Sequence, residues 1–170
     1  MIYNSHFAYA QLIKKRYIII KHFIKYWLPV IILMGVIFWM STDMFSSEHT
    51  SQFIIPISNL LFPELAPHQI DMIHEMIRKA GHITEYFIFG MLLFHAFRNG
   101  SIEKWQIRWT VYAIIGVVLY AMSDELHQTF VLSRAGSLID VGIDSIGGIL
   151  SQMTIILRWQ ITKRSLNYRA

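Results

Sequence analysis

The sequence contains no cysteine, so disulfide bonds and thiolate chemistry are excluded for these 170 residues. It is also short of charge, because only 15% of the residues are charged, against roughly 25% in an average soluble domain. Hydrophobic residues make up 54%. This balance is typical of a chain that faces lipid. The net charge of +4 could attract nucleic acid, but basic residues that flank apolar segments more often mark membrane topology, and no nucleic-acid partner is predicted.

Four apolar stretches predict an all-α bundle of four transmembrane helices, and the length fits a single domain of residues 1–170. The first stretch runs from Phe23 to Met40, and the fourth runs from Leu138 to Leu157. The second and third are shorter than the roughly 20 residues that a hydrocarbon core requires, so each must continue as helix through polar residues. The predicted spans are approximately 23–41, 79–98, 108–127 and 138–158.

The basic residues predict the orientation, because Lys and Arg near the ends of spans are retained on the cytoplasmic side. Twelve of the 15 lie in the N-terminal segment, in the loop after the second span or in the C-terminal tail. The other three are Arg78, Lys79 and Arg134. Both termini are therefore predicted to be cytoplasmic.

The loop from residue 41 to residue 77 is the longest on the predicted outer side. Its apolar part, Phe53–Phe62, is too short to span and is interrupted by proline, so we expect it to dip into the outer leaflet as a re-entrant segment. From His68 onward, isoleucines recur at helical spacing and predict an amphipathic helix on the membrane surface. We expect solvent to surround the histidines of this loop, His49, His68 and His74.

Polar and ionisable side chains recur at helical spacing near the outer ends of the last three spans. Each ionisable group within a span costs roughly 2.5 to 3.5 kcal/mol, so these groups are expected to face the bundle interior or a water-filled cavity. Three helices would then direct charge at one outward-facing site. The candidate site residues are Arg78, Lys79, His82, Glu85, Tyr86, Asp124, Glu125, His127, Gln128, Arg134, Asp140 and Asp144.

The same cluster also fits a structural ion-pair network that holds short helices together. Small residues on the fourth span, Gly148 and Ser151, favour close helix packing. Two pairs three residues apart, His82 with Glu85 and Asp124 with His127, have the spacing of metal ligands on one helical face. Such pairs are a weak signal, so no metal and no cofactor is predicted.

Several segments resemble the VanZ-like family of membrane proteins, which is named for a protein associated with bacterial resistance to the lipoglycopeptide teicoplanin. The resemblance extends from about Trp39 to Leu157, and the first loop matches least well. It implies a bacterial plasma-membrane protein of the cell envelope and supplies no mechanism. The segments that carry it are Arg78–Tyr86, Ser123–Gln128, Arg134–Ser137 and Asp140–Gly147.

Three functions are compatible with these residues besides a structural role. The first is binding or modulation of an amphiphile, such as a membrane lipid, a lipid-linked wall precursor or a lipoglycopeptide. The second is a membrane-embedded hydrolase or transferase for lipid-linked phosphates, with or without a metal. Ser133, Arg134, Asp140 and Asp144 have the spacing of a lipid phosphatase motif, but Asp140 stands where that motif has a nucleophilic histidine. The third is an ion-coupled carrier. The oligomeric state is not predicted.

Overall fold

The computed structural model describes residues 2–103, 105–132, 134 and 136–167, and the side chains of these from residue 11 to residue 166. Within these ranges the chain is α-helical and contains no strand, so the all-α prediction is confirmed. A single turn of 3-10 helix, Asp43–Phe45, follows the second helix. The α-helices are α1 (Ile2–Tyr26), α2 (Leu28–Met40), α3 (Ser47–Leu61), α4 (Pro67–Arg98), α5 (Ile107–Gln128) and α6 (Leu138–Asn167).

Helices α1 and α2 follow one another with only Trp27 between them. The Trp27 amide donates to the Phe23 carbonyl at 2.8 Å, and the Trp27 carbonyl accepts from Ile31 at 3.0 Å, so helical hydrogen bonding continues through the junction. Pro29 lies just beyond it and has no N–H to donate to the preceding turn, which explains the local interruption. The first predicted span therefore belongs to a longer apolar helical segment.

Three helical segments of the described chain are long and apolar enough to cross a membrane: Gln11–Met40, Ile107–Gln128 and Leu138–Leu166. They correspond to the first, third and fourth predicted spans. Helix α4 is 32 residues long but is not among them, and polar residues such as Lys79, His82, Glu85 and His95 interrupt its apolar run. The four-span count thus stays a prediction.

Helix α4 is the centre of the fold, because it contacts all five of the other α-helices. This position explains how a helix with so many polar residues is accommodated, since its neighbours shield it from the surroundings. Its buried aromatic side chains, Tyr86, Phe89 and Phe94, are at most 1% exposed. They pack against small and medium residues of α5, namely Ala113, Val117 and Ala121.

The loop between α2 and α4 is more helical than its composition indicated. The predicted re-entrant segment lies within α3 apart from Phe62, and Pro56 is accommodated inside that helix. The predicted amphipathic helix is the first part of α4 and continues without a break into the predicted second span. The relation of both segments to a membrane stays a prediction.

One expectation for this loop is wrong. His74 is only 5% exposed, and its Nε2 lies 3.0 Å from the Thr50 hydroxyl of α3. The ring is buried because α3 packs directly on α4. His49 and His68 are exposed, as expected.

Small residues allow α4 and α6 to approach closely, as the sequence predicted. A Cβ atom at Gly90 would collide with the Ser151 hydroxyl, and one at Gly147 would collide with the Ile83 carbonyl oxygen of α4. Gln152 of α6 donates its side-chain amide to the Gly90 carbonyl at 2.9 Å. The two helices therefore meet nearly backbone to backbone.

We expect Gly147→Ala to destabilise the protein and Gly142→Ala, on the same helix, to leave it unchanged or slightly more stable. A methyl group at Gly147 meets rigid backbone of α4, whereas one at Gly142 meets nothing within 4 Å. Overpacking of this kind costs about 1 to 3 kcal/mol, and alanine in a helix favours folding by up to about 1 kcal/mol over glycine. Thermal unfolding of the two detergent-solubilised variants measures the difference. Equal unfolding temperatures would contradict the packing described here.

Candidate functional site

Polar side chains from four helices meet at one end of the bundle, where α2 and α5 end and α6 begins. We call this the polar end. Eight of the 12 predicted site residues line a cavity of about 230 Å³ there. The structure adds Ser47, Glu75 and Ile143 to its walls. The eight predicted residues are Arg78, Lys79, His82, Glu125, Gln128, Arg134, Asp140 and Asp144.

The other four predicted residues have different positions. Glu85 lines a neighbouring cavity of about 190 Å³, which shares Arg78, His82 and Arg134 with the first. Tyr86 and Asp124 are buried, at 0% and 2% exposure, and line neither cavity. His127 is not brought to the polar cavity, and its ring lies 4.3 Å from the Phe38 ring of α2, centroid to centroid.

Asp124 is held by two side-chain donors. The Ser41 hydroxyl, directly after α2, donates to Asp124 Oδ1 at 2.6 Å, and the Gln128 amide donates to Oδ2 at 3.2 Å. Gln128 is one turn further along α5, so this second contact follows from helical geometry. The carboxylate thereby links the end of α2 to α5.

Glu125 connects α5 to the loop that precedes α6. Its Oε2 accepts a 2.8 Å hydrogen bond from the Ser137 backbone amide, and its Oε1 accepts from the Gln128 amide at 3.3 Å. The loop reaches this position because Gly136 passes against α5, where a Cβ atom would collide with the Glu125 carbonyl oxygen. A glycine is therefore required for this contact.

Asp144 of α6 is completely buried and faces α4. Its Oδ1 lies 3.3 Å from Nδ1 of His82, an ion-pair distance, but neither of its oxygens nor His82 Nδ1 makes a hydrogen bond within the described residues. A carboxylate beside one ring nitrogen leaves Nε2 available for another partner. The His82 ring lies at the cavity wall.

Arg134 fixes the end of α2 to the loop after α5. Its Nη2 donates to the carbonyls of Met40, at 2.8 Å, and Phe45, and its Nη1 donates to the Gln128 side-chain oxygen at 3.4 Å. Its Nε is buried without a partner in the described part of the chain. Burial and the nearby Arg78 lower the pKa of the Arg134 guanidinium, which still stays protonated because arginine is not deprotonated in proteins.

Two further cations stand on the first half of α4. Arg78 Nη1 lies 3.2 Å from Glu75 Oε2, and Lys79 Nζ lies 3.4 Å from Glu75 Oε1. These pairs are partly exposed, so each adds little to stability. Neither pair occupies all the donors of its cation.

An apolar groove adjoins the polar cavity at Glu125, which lines both. The groove has a volume of about 560 Å³ and runs between the end of α5 and the start of α6. Its walls are mainly aliphatic, and several side chains are exposed: Leu119, Met122, Leu126 and Leu138.

Sequence reasoning missed five contributors to this site: Ser41, Ser47, Glu75, Ser137 and Ile143. Ser41 is a hydrogen-bond donor that follows an apolar span, and Glu75 lies in the predicted amphipathic segment. Ser137 lies in a segment that carries the resemblance, but it acts through its backbone amide, which a side-chain pattern does not reveal. Ser133, part of the phosphatase-like spacing, lies outside the described residues.

The fold and the site are those of a helical membrane protein with a polar cluster buried among its helices. The profile of the family described as VanZ/LLP1 matches residues 26–159, and the chain belongs to that family. Membership supports a membrane protein linked to antibiotic resistance. Searches of curated proteins and of solved structures found no match.

Proposed function

We propose that this chain is a bacterial plasma-membrane protein of the cell envelope that binds the headgroup of an amphiphile in an outward-facing polar cavity. The ligand class is a membrane lipid, a lipid-linked wall precursor or a lipoglycopeptide of the teicoplanin type. The observation that carries the proposal is the position of three cations, Arg78, Lys79 and Arg134, in one cavity that adjoins an apolar groove.

The size of the cavity favours a headgroup. At about 230 Å³ it is smaller than the roughly 300 to 1,000 Å³ of sites that enclose a drug-sized ligand. A phosphate or carboxylate is the complementary group, since Arg134 offers an unpaired buried Nε and is held in place by its contacts with two carbonyls. The hydroxyls and amines of a ligand would meet Asp140 and Gln128.

The groove favours an amphiphile over a free anion as the ligand. Its exposed aliphatic walls suit an acyl or polyprenyl chain that stays in the lipid phase. Glu125 lies where groove and cavity adjoin, so a single molecule can place its headgroup in one and its chain in the other.

A second candidate function rests on the contact between His82 and Asp144. A histidine beside a buried carboxylate is the arrangement of a general base or of a histidine nucleophile. The protein would then be a hydrolase or transferase for lipid-linked phosphates. Asp140 does not replace the histidine of the phosphatase motif, because a carboxylate repels the anionic group that it would attack.

The binding proposal predicts that Arg78→Gln and Arg134→Gln weaken affinity for polyprenyl phosphate by roughly 10- to 100-fold each, since a charge-assisted contact contributes about 1.5 to 3 kcal/mol. Arg108→Gln is the matched control, because Arg108 is exposed near the start of α5, at the opposite end of the bundle. Binding to the purified protein in detergent measures the effect. Equal affinities for all three variants would contradict the proposal.

The same samples separate binding from catalysis. Phosphate release is followed with polyprenyl phosphate and polyprenyl diphosphate, with and without divalent metal. Binding without turnover is expected. Steady phosphate release that disappears in His82→Ala or Asp144→Asn would show that the protein is an enzyme and would contradict the binding proposal.

The orientation is tested by cysteines introduced into this cysteine-free chain. Leu132→Cys, at a fully exposed position in the loop after α5, should react with a membrane-impermeant thiol reagent on intact cells. Ser165→Cys, exposed near the end of α6, should react only after the cells are lysed. Labelling of Ser165→Cys in sealed cells would place the polar cavity on the cytoplasmic side.

A further inference from the structure

Three carboxylates come together where α5 meets α6. Asp124 and Glu125 are neighbours on α5, and Asp144 faces them from α6; they are 2%, 5% and 0% exposed. One oxygen of each lies within 4.8 Å of one oxygen of the other two. We call these three residues the carboxylate cluster.

The carboxylate cluster has no lysine or arginine partner among the described residues. Among the described residues, no lysine or arginine nitrogen lies within 4.0 Å of its oxygens, and the one ion-pair contact is with His82. Arg134 directs its Nη atoms at backbone carbonyls and at Gln128. Three like charges at this spacing repel one another and are costly to bury unless a cation compensates them.

Four buried polar atoms in or beside the cluster are also without a hydrogen-bond partner in the described part of the chain. They are Oδ1 and Oδ2 of Asp144, Nδ1 of His82 and the Tyr86 hydroxyl. Tyr86 is completely buried, and its hydroxyl lies within electrostatic range of Asp124 and Asp144. Buried polar atoms are almost always paired, so such orphaned atoms indicate a water or an ion that occupies the space between them.

We propose that Asp124, Glu125 and Asp144 bind a divalent cation that prefers oxygen ligands, with Ca²⁺ as the best fit. Ca²⁺–oxygen bonds of roughly 2.3 to 2.6 Å allow two oxygens on opposite sides of the ion to lie up to about 5 Å apart, so separations of at most 4.8 Å are within its range. Mg²⁺, with bonds of roughly 2.0 to 2.1 Å and a stricter octahedral geometry, allows only about 4.2 Å.

The surrounding hydrogen bonds prepare the cluster for a cation. Ser41 donates to Asp124, the Ser137 amide donates to Glu125, and Gln128 donates to both, so the two α5 carboxylates are held in orientation. A carboxylate oxygen that accepts one hydrogen bond keeps a lone pair for a metal. The cation also removes the repulsion that the carboxylates would exert on an anionic headgroup, and this last consequence alone rests on the proposed function.

The test uses the full-length protein in a phosphate-free maltoside detergent after treatment with EDTA. The protein is titrated with CaCl₂, MgCl₂ and MnCl₂ by isothermal titration calorimetry, without any lipid. We expect one Ca²⁺ to bind per chain and Mg²⁺ to bind more weakly. Ca²⁺ should also raise the unfolding temperature. Asp144→Asn and Asp124→Asn should each weaken Ca²⁺ affinity at least tenfold. Asp71→Asn, an equal change of charge on the exposed face of α4, should not.

Three results would overturn the proposal. The first is the absence of binding of all three ions to the wild-type protein at millimolar concentration, which needs no variant to fold. The second is that lowered pH raises the unfolding temperature while metal has no effect, which would show that the carboxylates share protons. The third is that Asp144→Asn is stable in EDTA but keeps the Ca²⁺-dependent rise in unfolding temperature, which would show that the ion binds elsewhere. Because no lipid is present, all of these outcomes are independent of headgroup binding.

Discussion

Asp124, Glu125 and Asp144 are at most 5% exposed, and many contacts at the polar end stabilise their buried carboxylates. Charge in such a position requires donors or cations, because removal from water is otherwise prohibitive. Ser41 and Gln128 supply donors, and the loop after α5 folds back so that a backbone amide reaches Glu125. The connections between α2, α5 and α6 at this end are therefore consequences of one electrostatic requirement.

Features that depend on a single helix were predictable from the sequence. The period of 3.6 residues places His82 and Glu85 on the same side of α4, and both line cavities at the polar end. The apolar runs of α2, α5 and α6 likewise identified three segments able to cross a membrane. The small residues of α6, Gly148 and Ser151, indicated close helix packing but not the partner helices: a Cβ atom at Gly148 would collide with Val117 of α5, and Ser151 lies against Gly90 of α4.

Features that depend on contacts between distant segments were not predictable. Ser41 and Asp124 are 83 positions apart, and nothing in either segment identifies the partner. His127 follows Asp124 at the same three-residue spacing as Glu85 follows His82, yet the His127 ring packs on Phe38 of α2, a contact that its own helix does not reveal. The helical path from α3 into α4 buries His74, whereas its loop-like sequence suggested exposure.

We propose that this VanZ/LLP1 protein holds an amphiphile across the boundary between water and lipid, with the headgroup in the polar cavity and the chain in the apolar groove. The most direct test is a crystal structure grown from a lipidic mesophase that contains polyprenyl phosphate. Density for a phosphate against Arg134 and Arg78, with the chain continuing into the groove past Glu125, is expected. A cavity that contains only water, with polyprenyl phosphate bound elsewhere or not at all, would contradict headgroup binding at the polar end.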